Sequence, residues 1–131
     1  MDKSISPSLE DYLEKILFLF ERNGSVRMTD VALEMNISKP SVNKAINSLK
    51  NSGHVIHEHY GLLNLTEKGL ETAKQVKKRH FAILMFLTEV LGVEPETAET
   101  EACHLEHSMS EDTVIRLIAY LEKVTGKQVK Y

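Results

Sequence analysis

The segment from Thr29 to Leu65 leaves the chain few alternatives. Thr29 or Asp30 can cap a short helix through about Met35, and Asn36 tolerates the left-handed backbone of a turn. Ser38 then caps a second helix with Pro40 in its first turn. Ala32 is small where two helices cross closely, and β-branched Val42 faces the core from the second helix. After Ser52-Gly53, the run Val55 to Leu65 reads as two short strands turning near Tyr60-Gly61. Two helices about a tight turn, then a hairpin, is the order of a winged helix-turn-helix.

No acidic residue occurs from Met35 to His57, whereas Lys39, Lys44 and Lys50 do, so a polyanion can approach that surface without meeting a carboxylate. The solvent face of the second helix offers Ser38, Lys39, Ser41, Asn43, Lys44 and Asn47, short polar and cationic groups suited to base edges and phosphates in a major groove. Arg27 and Pro40 complete the candidate DNA contacts.

The flanks read as helices. Ser8 precedes an apolar-periodic stretch that ends at Asn23-Gly24, and Asp11 and Glu14 share one face of it. Thr66 caps a long helix running to Gly92. Lys77, Lys78 and Arg79, just before His80, read as a solvated face. Phe81 to Leu87 is apolar on nearly every side, which calls for burial on several faces and points to a dimer interface. Pro95 starts another helix, and Ser110 with Glu111 and Asp112 starts a last one through about Val124. The fold class is therefore mainly α: a winged helix-turn-helix over residues 1–70 and an all-helical dimerisation and metal-binding domain over 71–131.

The only cysteine stands in Cys103-His104-Leu105-Glu106-His107. On a helix, Cys103, Glu106 and His107 at i, i+3 and i+4 share a face, with Glu99 one turn earlier on the same stripe. Three donors from one helix fill at most half of an octahedral shell, so if this is a metal site the remaining ligands must come from elsewhere in the chain. The net charge of −3 conceals an asymmetry. Residues 1–80 carry 12 basic against 10 acidic side chains, and residues 81–131 carry 4 against 9, so the halves suit different partners. One cysteine forms no internal disulfide, and no apolar run approaches a membrane span. The expectation is a cytoplasmic protein with no membrane partner.

Ser8-Leu9-Glu10-Asp11-Tyr12-Leu13-Glu14, the helix-turn-helix with wing, Arg79-His80 on a long helix, and Ala102-Cys103-His104-Leu105-Glu106-His107-Ser108-Met109-Ser110 together resemble the diphtheria toxin repressor family. These are metal-dependent transcriptional repressors with iron-responsive and manganese-responsive branches. The resemblance covers residues 6 to about 124. It implies Cys103, Glu106 and His107 as primary ligands, His80 as a further ligand, and Asp11 with Glu14 as the contribution of the first helix. The chain mixes the branches: Cys103 matches the iron type and Asp11 the manganese type. Glu99 stands where iron-type members have an ancillary histidine, and Leu84 replaces an ancillary carboxylate. The expectation is a short form without the small C-terminal SH3-like domain of many iron-type members, similar to the shorter manganese-type proteins.

The resemblance implies Fe(II) or Mn(II) as co-repressor, and a cysteine thiolate leaves Zn(II), Co(II) or Ni(II) able to substitute in vitro. It further implies a homodimer on palindromic double-stranded DNA, with metal uptake genes under control and no small-molecule substrate besides the ion. In the expected mechanism, a cation ties the first helix to the Cys103 motif and sets the spacing of two recognition helices. Affinity for the ion should weaken as pH falls through the histidine range. Two other classes compete. One is a winged-helix regulator without metal, Cys103 being a redox sensor or inert; the other is an enzyme using Cys103 with His107 as nucleophile and base, or a catalytic zinc. The second has no evident oxyanion site. His54, His57, His59 and His104 are read as non-ligands.

Overall fold

A computed structural model describes residues 5–58 and 61–129. Its contacts divide the chain into two compact units, one through Lys74 and one from Gln75 onward.

The first unit is built by local signals. Helix α1 spans Pro7–Asn23 and α2 Met28–Met35. Helix α3 spans Lys39–Asn51, and strands β1 Val55–His57 and β2 Leu63–Leu65 follow. The cap of α1 is Ser6 rather than Ser8: its Oγ accepts from the Leu9 amide at 3.3 Å, and Pro7 fills the first helical position. Proline there loses nothing, because that amide has no intrahelical partner, so it pulls the start two residues earlier than expected. The α2 start also differs. Asp30 is the third helical residue, and its carboxylate reaches back to accept from the Arg27 amide at 2.8 Å, satisfying an orphan donor from inside the helix. Asn36 adopts the left-handed backbone (φ 54°) and ends α2. Ser38 caps α3, accepting from the Ser41 amide at 3.3 Å.

The inward faces of these elements form one core. Leu13, Ile16 and Leu19 of α1 meet Val31 of α2, Ile46 and Leu49 of α3, and Val55 and Leu63 of the hairpin. The strands pair antiparallel, Val55 with Leu65 and His57 with Leu63. The turn expected at Tyr60-Gly61 falls partly outside the described residues, as do His59 and Tyr60. Gly61 has φ +83°, and a Cβ there would lie 3.2 Å from Arg27 Nη1. The wing is fastened to the entry of α2 by an Arg27–Leu62 bridge and by the Leu63 amide donating to the Val26 carbonyl at 2.7 Å. His54 is fully buried, its Nδ1 2.6 Å from Ser52 Oγ, so it belongs to the core.

Helix α4 covers Glu67–Met85, and the division between units falls within it. Thr66 Oγ accepts from the Gly69 amide at 3.0 Å. Gly69 is obligatory here, because a Cβ would stand 1.9 Å from the His54 carbonyl oxygen.

In the second unit α4 does not run on uniformly to Gly92. It widens into a π-helical turn, Phe86–Val90, where the Leu91 amide donates to Phe86 O. Helices α5, Pro95–Leu105, and α6, Glu111–Thr125, complete the unit. Ser110 caps α6 as expected, and Glu94 caps α5. Hydrogen bonds from the Thr97 and Glu96 amides hold the Glu94 carboxyl below the usual carboxylate range. Small Ala98 and Ala102 let α5 approach Ile83 and Leu87 closely. Within the expected interface segment, Ala82, Ile83 and Leu87 are buried and Phe81 is exposed.

Candidate metal centre

The second unit holds five of the expected ligands, and three of them, Glu99, Cys103 and Glu106, stand around the imidazole of a fourth, His80. His80 projects from α4 and is buried. Its Nε2 lies 2.8 Å from Glu99 Oε1, and its Nδ1 lies 2.8 Å from Glu106 Oε2. Carboxylate oxygens only accept, so both contacts are hydrogen bonds at once only when the ring carries two N–H groups. Cys103 Sγ stands 4.0 Å from His80 Nδ1. His80, Glu99 and Cys103 each offer a ligand atom within 4.8 Å of the other two. Cys103 and Glu99 are exposed, leaving an approach from solvent.

Glu106 and His107 are not on the helix, contrary to the expectation of three ligands on one helical face. Helix α5 ends at Leu105, and Glu106 is its C-cap. Because Glu106 keeps helical dihedrals (φ −60°, ψ −28°), its side chain still turns toward the Cys103 side, which is why the i, i+3 spacing was informative. Glu106 is fully buried. Its Oε1 lies 3.4 Å from His107 Nε2, yet finds no hydrogen-bond partner among the described residues. A buried carboxylate oxygen left without a hydrogen bond costs stability that a cation would recover. Two carboxylates, two imidazoles and a thiol, one oxygen unsatisfied, fit a divalent transition metal.

Asp11 and Glu14 lie one turn apart on α1 in the first unit, both half-buried. The expected DNA contacts form one exposed set in that unit: Ser38, Lys39, Pro40, Ser41, Asn43, Lys44 and Asn47 on α3, and Arg27 at the start of α2. Arg79 corrects the reading of a solvated basic face. It is 3% exposed, and its Nη1 donates to the Glu106 carbonyl at 3.3 Å. Sequence reasoning missed it because Lys-Lys-Arg looks uniformly polar; only its place one residue before His80 hinted otherwise.

Residues 4–63 match the family model described as "Iron dependent repressor, N-terminal DNA binding domain". Residues 66–127 match "Iron dependent repressor, metal binding and dimerisation domain". The chain belongs to the iron dependent repressor family. An uncharacterised HTH-type transcriptional regulator of Methanocaldococcus jannaschii is 41% identical over 124 residues, 94% of this chain and 99% of its own length. The HTH-type transcriptional regulator MntR of Bacillus subtilis is 33% identical over 121 residues, 90% of this chain and 84% of its own. Among solved structures, the manganese regulator SloR superposes with a TM-score of 0.80 at 30% identity, over 90% of this chain and 55% of that one. This chain thus spans about half the length of the SloR chain. Iron dependent repressors are transcription regulators, so the enzyme reading of Cys103 with His107 falls.

Proposed function

We propose that this iron dependent repressor binds palindromic DNA as a homodimer with Fe(II) or Mn(II) as co-repressor, and controls metal-uptake genes. The ligands are Asp11, Glu14, His80, Cys103, Glu106 and His107, with Glu99 beside them. The observation that carries this is the Glu106 carboxylate, fully buried, one oxygen on His80 and the other without a hydrogen bond among the described residues. A bound divalent cation supplies the positive charge that lets so many carboxylates and imidazoles share one site.

The chain's own residues do the rest. Glu99 and Glu106 aim His80 from its two nitrogens. Asp11 and Glu14 answer from α1, whose Leu13 and Ile16 pack in the same core as Ile46 and Leu49 of α3. Whatever fixes Asp11 and Glu14 therefore fixes α3, and in a dimer the two copies of α3 must reach major grooves about 34 Å apart. Exposed Phe81, Leu91, Leu105, Ile115, Tyr120 and Val124 give the second unit an apolar surface suited to a second copy of itself. The thiol of Cys103 favours Fe(II) over Mn(II), and leaves Zn(II), Co(II) and Ni(II) able to bind in vitro. SloR, by its description a manganese regulator, supports Mn(II).

The test is DNA binding under anaerobic conditions, with a chelator or with added Mn(II) or Fe(II). Equal DNA affinity in all three leaves a metal-independent regulator with Cys103 as redox sensor or inert. Undiminished calorimetric binding of both ions by an Asp11→Ala, His107→Ala variant would refute the ligand set.

A further inference from the structure

Burial of Arg79 is hard to explain as packing. A guanidinium is rarely buried without fixed partners, and here 3% of the residue is exposed. Its neighbour in sequence is His80, and the two side chains leave α4 about 100° apart. Both nevertheless reach the same residue. Arg79 Nη1 donates to the Glu106 backbone carbonyl at 3.3 Å, and His80 Nδ1 lies 2.8 Å from the Glu106 carboxylate. Glu106 is thus gripped at both ends from one helix.

The choice of acceptor matters. A guanidinium that reached the carboxylate could form a paired fork with it, a strong interaction that would occupy both oxygens. Arg79 takes the backbone carbonyl instead, at the negative end of the α5 dipole. The carboxylate stays available, with Oε1 unsatisfied. Glu106 is the C-cap of α5: its amide still donates to the Ala102 carbonyl at 3.0 Å, but its own carbonyl is one of the last of the helix, which have no intrahelical donor, and Arg79 supplies one.

We infer that Arg79 is a positioning residue of the metal centre: it pins the Glu106 backbone without occupying either carboxylate oxygen, so that Oε2 stays with His80 and Oε1 is left for an ion. This rests on the metal-centre reading of the site. Calorimetric titration of Mn(II) into the wild type tests that reading alone, since a wild type that binds none refutes it whatever Arg79 does. The variant-to-wild-type ratio tests the inference. Losing a residue that orients a ligand costs about 10- to 100-fold in metal affinity. Arg79→Met is expected to bind Mn(II) at least about tenfold more weakly than wild type. Its Co(II) complex should also show an altered visible spectrum, which a merely structural loss would not produce. Arg79→Lys, which keeps a cationic donor, should recover most of the affinity and the wild-type spectrum. If the methionine variant does not fold, Arg79→Gln carries the same expectation. A folded variant with a smaller loss or tighter binding, or a lysine variant as weak as methionine, overturns the inference.

Discussion

Replacing Glu106 by glutamine separates the ligand reading from a structural one, because the two predict opposite outcomes. The carboxylate is fully buried, Oε2 lies 2.8 Å from His80 Nδ1, and Oε1 makes no hydrogen bond with the described residues although His107 Nε2 is 3.4 Å away. In the metal-free protein, an unsatisfied buried acceptor costs about 1–3 kcal/mol. The glutamine amide would place an N–H donor where Oε1 stands, within reach of His107, and its carbonyl would still accept from His80. Against this, the His80 bond loses its charge assistance, worth about 1 kcal/mol. The terms nearly cancel, so the metal-free midpoint should shift by no more than about 4 °C in either direction, the equivalent of about 1 kcal/mol for a chain of this size. Metal affinity should fall far more. A supporting residue is worth about 10–100-fold, and a direct anionic ligand lies at or above the top of that range, hence a loss of about 100-fold or about 3 kcal/mol. Calorimetric Mn(II) titration and thermal melts in chelator measure the two quantities separately. The reasoning is refuted if affinity stays within about tenfold of wild type while the metal-free protein loses more than about 2 kcal/mol.

Gly69→Ala should severely destabilise the first unit. Its Cβ would fall 1.9 Å from the His54 carbonyl oxygen, a backbone atom that cannot swing aside, so a loss above about 3 kcal/mol in chemical denaturation is expected. An unshifted denaturation midpoint would mean the α4 entry is not so close. Glu94 caps α5, and its folded carboxyl titrates below the usual carboxylate range because the Thr97 and Glu96 amides donate to it. A depressed carboxyl adds stability that is present above its unfolded value and lost as pH falls through the folded one, so α5 should loosen in acid below the ordinary carboxylate range. Glu94→Gln should flatten that acid dependence in amide exchange, and an unchanged profile contradicts the cap.

What was legible in the sequence was whatever a few neighbouring residues decide. Asn36 announced a left-handed turn, Ser38 and Ser110 announced caps, and the apolar run from Val55 to Leu65 after Ser52-Gly53 announced the two strands, because each depends on a few neighbouring residues. Misreadings arose where two local signals competed. Ser8 and Ser6 are both capping residues, and only proline's preference for the first helical position chooses Ser6. Asp30 serves α2 equally well as cap or as third residue, and the Arg27 amide decided it. The Cys-x-x-Glu-His spacing offered a candidate set of residues, but not its geometry. That α5 stops at Leu105, and that Arg79 is buried on the Glu106 carbonyl, depend on how α4 meets the end of α5, which no local pattern encodes.

The proposed ligand set has one consequence that bears on mechanism rather than on affinity. Four of the ligands, His80, Cys103, Glu106 and His107, belong to one compact unit, and Asp11 and Glu14 belong to the other. The first unit carries the larger buried core, whereas the core of the second is small and partly alanine, so without metal the second unit should melt at lower temperature. With that proposed set, binding would stabilise only the state that presents all six groups, by about 2.7 kcal/mol at a free-ion concentration 100 times Kd. That stabilisation can be realised only while both units are folded, so saturating Mn(II) should raise the lower transition and merge it with the upper one in calorimetry. In Asp11→Ala, Glu14→Ala protein the same ion should raise the lower transition at most modestly and leave two peaks. If wild type keeps two transitions at saturation, the ion is held within the second unit alone, and α1 has no part in transmitting its presence to α3.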